Sequence, residues 1–262
     1  MSIAIDQGSF GDQLRLWRQQ RHLSQLDLAF DAEISARHLS FVETGRSRPS
    51  REMVMRLAEC LSLPLRNRNA LLLSAGFAPA YRERSLDDPA LGAAREAVQR
   101  ILDGHAPFPA LAVDRHWNLI AHNAVVPLML AGVAPELLAP PSNVLRLSLH
   151  PDGLAPRIVN LGEWKRHLID RLGGQIAASA DPVLEALREE LRAYPAPASR
   201  TPPDAGAAIA VPLEIESPVG RLSFLSTTTV FGTPVEVTLS EVGIEAFFPA
   251  DDATAKALLA LG

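Results

Sequence analysis

The chain of 262 residues contains one cysteine, Cys60, which excludes an internal disulfide framework and suits a reducing compartment. No uncharged apolar run reaches the length of a membrane-spanning helix. The opening MSIAIDQGSFGDQL has neither the basic start nor the long apolar stretch of a secretory leader. A cytoplasmic protein without membrane attachment is expected. His105, His116, His122, His150 and His167 are scattered, show no His-x-x-x-His or Glu-x-x-His spacing and have no cysteines beside them, which argues against a metal site. Ser226 to Thr229 (STTT) lie in a strand-like pattern instead of a nucleophile elbow, and RLGGQ lacks phosphate-loop spacing. Neither catalysis nor a cofactor is expected.

Hydrophobic residues make up 47% of the chain, enough to bury the cores of two domains. The 25 basic and 30 acidic residues leave a net charge of -5, which by itself predicts no polyanionic partner. The distribution is uneven. Residues 1–85 hold 12 arginines, no lysine and nine acids, a balance of +3, and the remainder carries -8. A nucleic-acid-binding module fused to an acidic domain produces such an asymmetry.

From Phe10 to Phe77 the apolar spacing is helical. FGDQLRLWRQQRH puts Phe10, Leu14 and Trp17 on one face. Ser24, Ser35 and Ser50 each stand where an N-cap would start a further helix, with Leu26, Leu28 or Ala29 buried by the second and Leu39 and Val42 by the third. Pro64 opens a fifth helix and Gly76 stops it. Residues 1–78 thus read as an all-α five-helix domain, 79–88 as a linker and 89–262 as a second domain. There PALGAAREAVQRILDG is an amphipathic helix, and PALAVDRHWNLIAHN is a β-hairpin with a helix from Asn123 to Leu130 after it. Helices are expected over 143–149, 156–178 and 182–193, and a Pro/Ala loop over AYPAPASRTPPDAGA. AIAVPLEIES, GRLSFLSTTTVF and PVEVTLSEVGIEAFFP alternate as three antiparallel strands, closed by a helix near 253–261. The second domain is then α+β, with about five antiparallel strands and helices inserted between the second and third.

SQLDLAFDAEISARHLSFVE has the dimensions of a helix-turn-helix, whose second helix enters the major groove. Ala36, Arg37, Ser40 and Phe41 would face base edges. Only Arg37 among them can donate two hydrogen bonds to a guanine, while Ala36 or Phe41 could pack on a thymine methyl. Ser24 and Gln25 open the preceding helix, where free N–H groups suit a phosphate, and Arg46 and Arg48 would neutralise flanking phosphates. Ser35, His38 and Thr44 complete that surface.

The stretch from Leu14 to Pro64, with Leu23-Ser24-Gln25, Leu28-Ala29, Glu43-x-Gly45-Arg46, Pro49 and Leu57-Ala58, resembles the xenobiotic-response-element/Cro/CI-type helix-turn-helix. The resemblance implies a lambda-repressor-like fold, operator DNA as partner and an ion pair between Arg18 and Glu43. His22 stands where glycine is usual, and histidine tolerates the left-handed backbone.

Further on, RNALLLSAGFAP, PALAVDRHWNLIAHN, NVLRLSLHPDG, LGEWKRHLI and LREEL resemble a regulator subfamily with a PAS-like, MmyB-type ligand-binding domain. That implies a mostly apolar pocket between sheet and helices. Trp117, Leu119, Val125, Leu128, Met129, Trp164, Leu168, Phe224, Val230 and Phe247 are candidates to line it, against the plainer reading that they fill a core. For a fatty acid or other small apolar ligand, Arg146, His150, Asn160 and His167 are the candidate polar anchors. The chain accordingly reads as a one-component regulator, homodimeric on DNA half-sites. The alternative makes the second domain a ligand-free dimerisation or protein-docking module.

Overall fold

The computed structural model describes residues 8–198, 211–232 and 236–260. The chain divides into two compact units, the first made of the residues up to Arg84 with the short segments Ala177–Ala180 and Val235–Val237, the second of the remainder. No described helix is long and apolar enough to cross a membrane.

The first unit contains α1 (Phe10–Gln20), α2 (Gln25–Asp31), α3 (Ala36–Glu43), α4 (Arg51–Cys60) and α5 (Leu65–Ser74). Serines start four of them. The side chains of Ser9, Ser24, Ser35 and Ser50 each accept the N–H three residues on, and Asp12 and Asp27 close reciprocal capping boxes at the first two. Phe10, Leu14 and Trp17 of α1 meet Leu28, Ala29, Leu39, Val42, Val54 and Leu57 in one buried cluster. Leu26 is the exception to the expected burial, because α2 turns it outward and leaves it 69% exposed. His22 carries φ 54 in the α1–α2 turn, and Gly76 carries φ 86 after α5. Gly11 allows α1 to cross the end of α3, since a Cβ there would lie 2.2 Å from the Glu43 carbonyl oxygen.

The second unit is α+β. After α6 (Gly92–Asp103) come β1 (Ala110–Val113) and β2 (Leu119–His122). Four helices follow, α7 (Val126–Met129), α8 (Pro135–Leu138), α9 (Val144–Leu149) and α10 (Leu161–Ser179), and then α11 (Pro182–Ala193). β3 (Leu213–Ser217) and β4 (Gly220–Val230) precede α12 (Val237–Ser240), β5 (Gly243–Pro249) and α13 (Asp252–Leu259). The five strands form one antiparallel sheet in the order β2-β1-β5-β4-β3, a PAS-like topology.

The period of two sorts the strands' side chains. Ala110, Ala112 and Ile244 face α6 and pack with Val98 and Leu102. Leu111 and Val113 face the other way, into the larger core with Trp117, Trp164, Leu168, Ile215 and Phe224.

Three expectations change here. The helix anticipated over 156–178 is interrupted, because Ile158 leaves a short 3-10 turn (Ala155–Arg157) to bridge Ile215 before α10 begins. The strand anticipated from PVEVTLSEV does not run through: Val237–Ser240 is helical and β5 starts at Gly243. The helix after the hairpin shrinks to α7, because buried Asn123 is held in a turn by bonds to the Leu102 and Phe108 carbonyls. The Pro/Ala loop lies mostly outside the described residues, as does the start of the AIAVPLEIES strand.

Candidate functional site

In the first unit α3 is held from behind. Its last residue, Glu43, has a side chain with no solvent exposure. Arg18 Nε and Nη2 donate to its two oxygens at 2.7 and 3.1 Å, Gln25 Nε2 donates at 2.7 Å, and Arg15 Nε stands 3.7 Å away. Burial pushes the Glu43 carboxyl upward, but the Arg18, Gln25 and Arg15 contacts outweigh it and hold the group below the ordinary glutamate value. Arg18 also donates to the Leu23 carbonyl at 2.9 Å, which ties the α1–α2 turn to the same knot.

With its apolar side buried through Leu39 and Val42, α3 presents Arg37 to solvent, and Ala36, His38, Ser40 and Phe41 half-buried. Phe41 is less free than expected. The guanidinium carbons of Arg37 and Arg46 lie 5.3 and 5.9 Å from its ring centre, so the ring is a platform for both arginines. Thr44 is exposed and donates to the Ser40 carbonyl at 2.7 Å, finishing the helix, while Arg46 and Arg48 project from the loop beyond. Two side chains assigned to phosphate are otherwise occupied. Ser24 is engaged in the capping box with Asp27, and the Gln25 amide turns inward to Glu43. Only backbone donors at the start of α2 remain for that role. Ser35 likewise caps α3 through the His38 N–H.

In the second unit a cavity of about 90 Å³ lies between the inner sheet face and α9 and α10. Leu111, Leu119 and Phe247 form its sheet side, Leu145 and Ser148 come from α9, and Trp164, Leu168 and Arg171 come from one face of α10. Trp117 lines it from the hairpin turn, in a left-handed conformation with φ 67 that is rare for a bulky side chain. The turn is fastened by Asp114, whose carboxylate accepts the His116 and Asn118 N–H groups at 2.8 Å each.

Of the fourteen expected ligand residues, Trp117, Leu119, Trp164, Leu168 and Phe247 line the cavity and the other nine do not. Arg146 is taken by Glu190, at 2.7 Å through each of Nε and Nη2. His150 packs edge-on to Tyr194. Asn160 is structural, donating to the Pro212 carbonyl at 2.7 Å and accepting the Glu214 N–H. His167 stacks on Trp164 from outside the lining, and burial and then Arg171 lower its pKa below the usual value. Phe224 is fully buried against Phe247, and Met129 packs at the edge of the core. Leu128 and Val230 are exposed.

The cavity's charged groups were missed. Arg171 lies 4.5 Å above the Trp117 ring and forks onto Glu245 at 2.9 and 2.5 Å. Glu245 is opposite both Leu111 and Thr228 in the register, and the Thr228 hydroxyl donates to it at 2.8 Å. The detectable signal was a glutamate on the inward phase of GIEAFF, an unlikely place for a solvated charge.

A helix-turn-helix unit with an arginine-bearing outer helix, followed by a PAS-like α+β unit around an apolar cavity, defines a DNA-binding transcription regulator. The family model for the MmyB-like transcription regulator ligand binding domain matches residues 94–261, and a helix-turn-helix domain model matches residues 9–71. The chain belongs to the MmyB-like transcription regulators. No curated protein matches it. Among solved structures, it is similar to the clp gene regulator ClgR from Corynebacterium glutamicum: 26% identity, covering 37% of this chain and 90% of that one, with a TM-score of 0.23. It is also similar to an RNA-binding light-oxygen-voltage receptor at 12% identity, covering 97% of this chain and 64% of the receptor, with a TM-score of 0.28.

Proposed function

We propose that this regulator binds operator DNA as a homodimer, reads bases through α3, and changes its affinity when a small apolar molecule enters the cavity of the second unit. The observation that carries the DNA half is the pairing of Arg37 and Arg46 on Phe41, with α3 pinned behind by Glu43. Arg37 is placed for guanine edges, and Arg46 and Arg48 for phosphates. One helix-turn-helix covers too little DNA for operator affinity, so two copies on half-sites about 34–36 Å apart are expected. The cavity supports the sensing half by being apolar and lined by two tryptophans.

Binding to the DNA upstream of its own gene, measured by fluorescence anisotropy over a salt series, tests this. Arg37→Ala should relax discrimination at one base pair, whereas Arg46→Ala should weaken all sequences alike and flatten the salt slope by about one. Parent-like binding by both variants would refute the placement of α3 in the groove. The docking-module reading draws on the cavity's size, since ligand pockets usually span about 300–1,000 Å³. It requires that no small molecule co-purify, which mass spectrometry of organic extracts of the purified chain checks.

A further inference from the structure

Resting on the ligand reading above, we infer that the cavity selects an uncharged molecule with one hydrogen-bond acceptor, and rejects a free carboxylate. Among the described residues, the only charged side chains in its lining are Arg171 and Glu245, and they already neutralise each other. Glu245 is 4% exposed, and its two oxygens take both arms of the Arg171 fork together with the Thr228 hydroxyl. An incoming carboxylate would have to sit beside a buried anion or displace it from its counter-ion. Either outcome leaves one negative charge unpaired in an apolar enclosure, which is strongly disfavoured.

Arg171 nevertheless has donors to spare. A guanidinium carries five N–H groups. Glu245 takes one from Nη1 and one from Nη2, and Nη2 also contacts Thr228, so Nε–H and one Nη1–H have no acceptor among the described residues. A ketone, ester or ether oxygen can accept one of them without disturbing the pair. The remaining wall is leucine, valine, phenylalanine, the Trp117 and Trp164 rings and Ser148, whose hydroxyl oxygen accepts the Trp164 indole N–H at 2.9 Å, which suits a short hydrocarbon body. Size sharpens this. An apolar cavity of about 150 Å³ takes up benzene, so about 90 Å³ admits a body of four or five heavy atoms before side chains must move. A long fatty acyl chain exceeds this volume unless side chains move.

The test titrates the full chain at pH 7 with four probes of five heavy atoms: butanone, methyl acetate, propionate and n-pentane. The readout is the indole N–H resonance of Trp117, whose Nε1 donates to Gln175 at 2.8 Å directly beneath Arg171. Butanone and methyl acetate should shift it with affinity at least tenfold above that of propionate and above that of pentane. Glu245→Gln, which keeps the shape and frees the arginine's charge, should raise the ratio of propionate to butanone affinity at least tenfold. Propionate binding the parent as well as butanone does would overturn the selection and leave the ligand reading standing. Pentane matching butanone would overturn the acceptor contact. If no probe moves Trp117, the ligand reading itself fails, and the selection with it.

Discussion

Replacing Arg18 by Met removes three hydrogen bonds at once: two to Glu43 at 2.7 and 3.1 Å, and one to the Leu23 carbonyl at 2.9 Å. Glu43 cannot swing out to water, since its side chain is fully covered where α1, α2 and α3 meet. It would keep the Gln25 amide and a distant Arg15, which is too little for a buried anion. Breaking such a pair on one side costs about 3–5 kcal/mol, a large part of the roughly 5–15 kcal/mol that holds a domain together. Urea unfolding followed at the indole resonance of Trp17, which is buried in this unit's core, isolates the relevant transition. Glu43→Met should be comparably damaging through the stranded arginine, but Arg18→Met with Glu43→Met should recover much of the loss, because both charges vanish and the volume is kept. The pH dependence supplies a second check. The Glu43 pKa is depressed in the fold, so its contribution is present above the unfolded value of about 4.3 and is lost as pH falls through the lower folded value. In Arg18→Met the dominant remaining influence is burial, and acidification should cease to remove stability through this group. An Arg18→Met protein within about 1 kcal/mol of the parent, or a double variant no better than Arg18→Met alone, would refute the account.

Gly11→Ala tests the same junction without touching a charge. The added Cβ would meet the Glu43 oxygen at 2.2 Å and its carbon at 2.7 Å, both backbone atoms, so α1 and α3 must part; a loss of about 1–3 kcal/mol is expected in the same urea titration. In the second unit Tyr194 is pushed up to about 12, first by burial and then by its hydrogen bond to Glu190. Absorbance at 295 nm in a Tyr81→Phe background should show phenolate near pH 12 and not near 10. Since the folded pKa exceeds the unfolded one, this group's contribution is intact below pH 10 and lost as pH rises toward 12.

Much of the fold was legible because local rules sufficed. Ser24, Ser35 and Ser50 mark real helix starts, the 3.6-residue period of Leu14 and Trp17 marks a buried face, and Gly76 marks a stop. Boundaries failed where a tertiary partner outbid local preference. Ile158 leaves the expected helix because Ile215 offers it a bridge, and Asn123 stays in a turn because two buried carbonyls need its amide. Leu26 failed for a different reason: a seven-residue helix has a narrow buried face, and Leu28 and Ala29 already fill it.

The binding sites divide along the same line. On the proposed DNA-binding surface the informative residues are local: Arg37, Phe41 and Arg46 fall on one helix and the loop after it, so their spacing alone brings them together. The cavity is assembled from six separate stretches, and which polar side chain reaches it depends on partners far away in sequence. Arg146, His150 and Asn160 have the right chemistry for an anchor, yet Glu190, Tyr194 and the β3 backbone engage them first. Residue type alone does not flag Arg171 and Glu245, because a charged residue on an amphipathic helix or a strand is ordinarily solvated. What singles them out is phase: Arg171 falls seven residues after Trp164 on the face that α10 buries, and Glu245 falls on the inward phase of β5, two residues before Phe247. Two opposite charges that both point inward on their own elements must find each other or remain unpaired at high cost. The burial phase of charged residues, more than their type, is therefore what locates the polar end of a cavity in a fold of this kind.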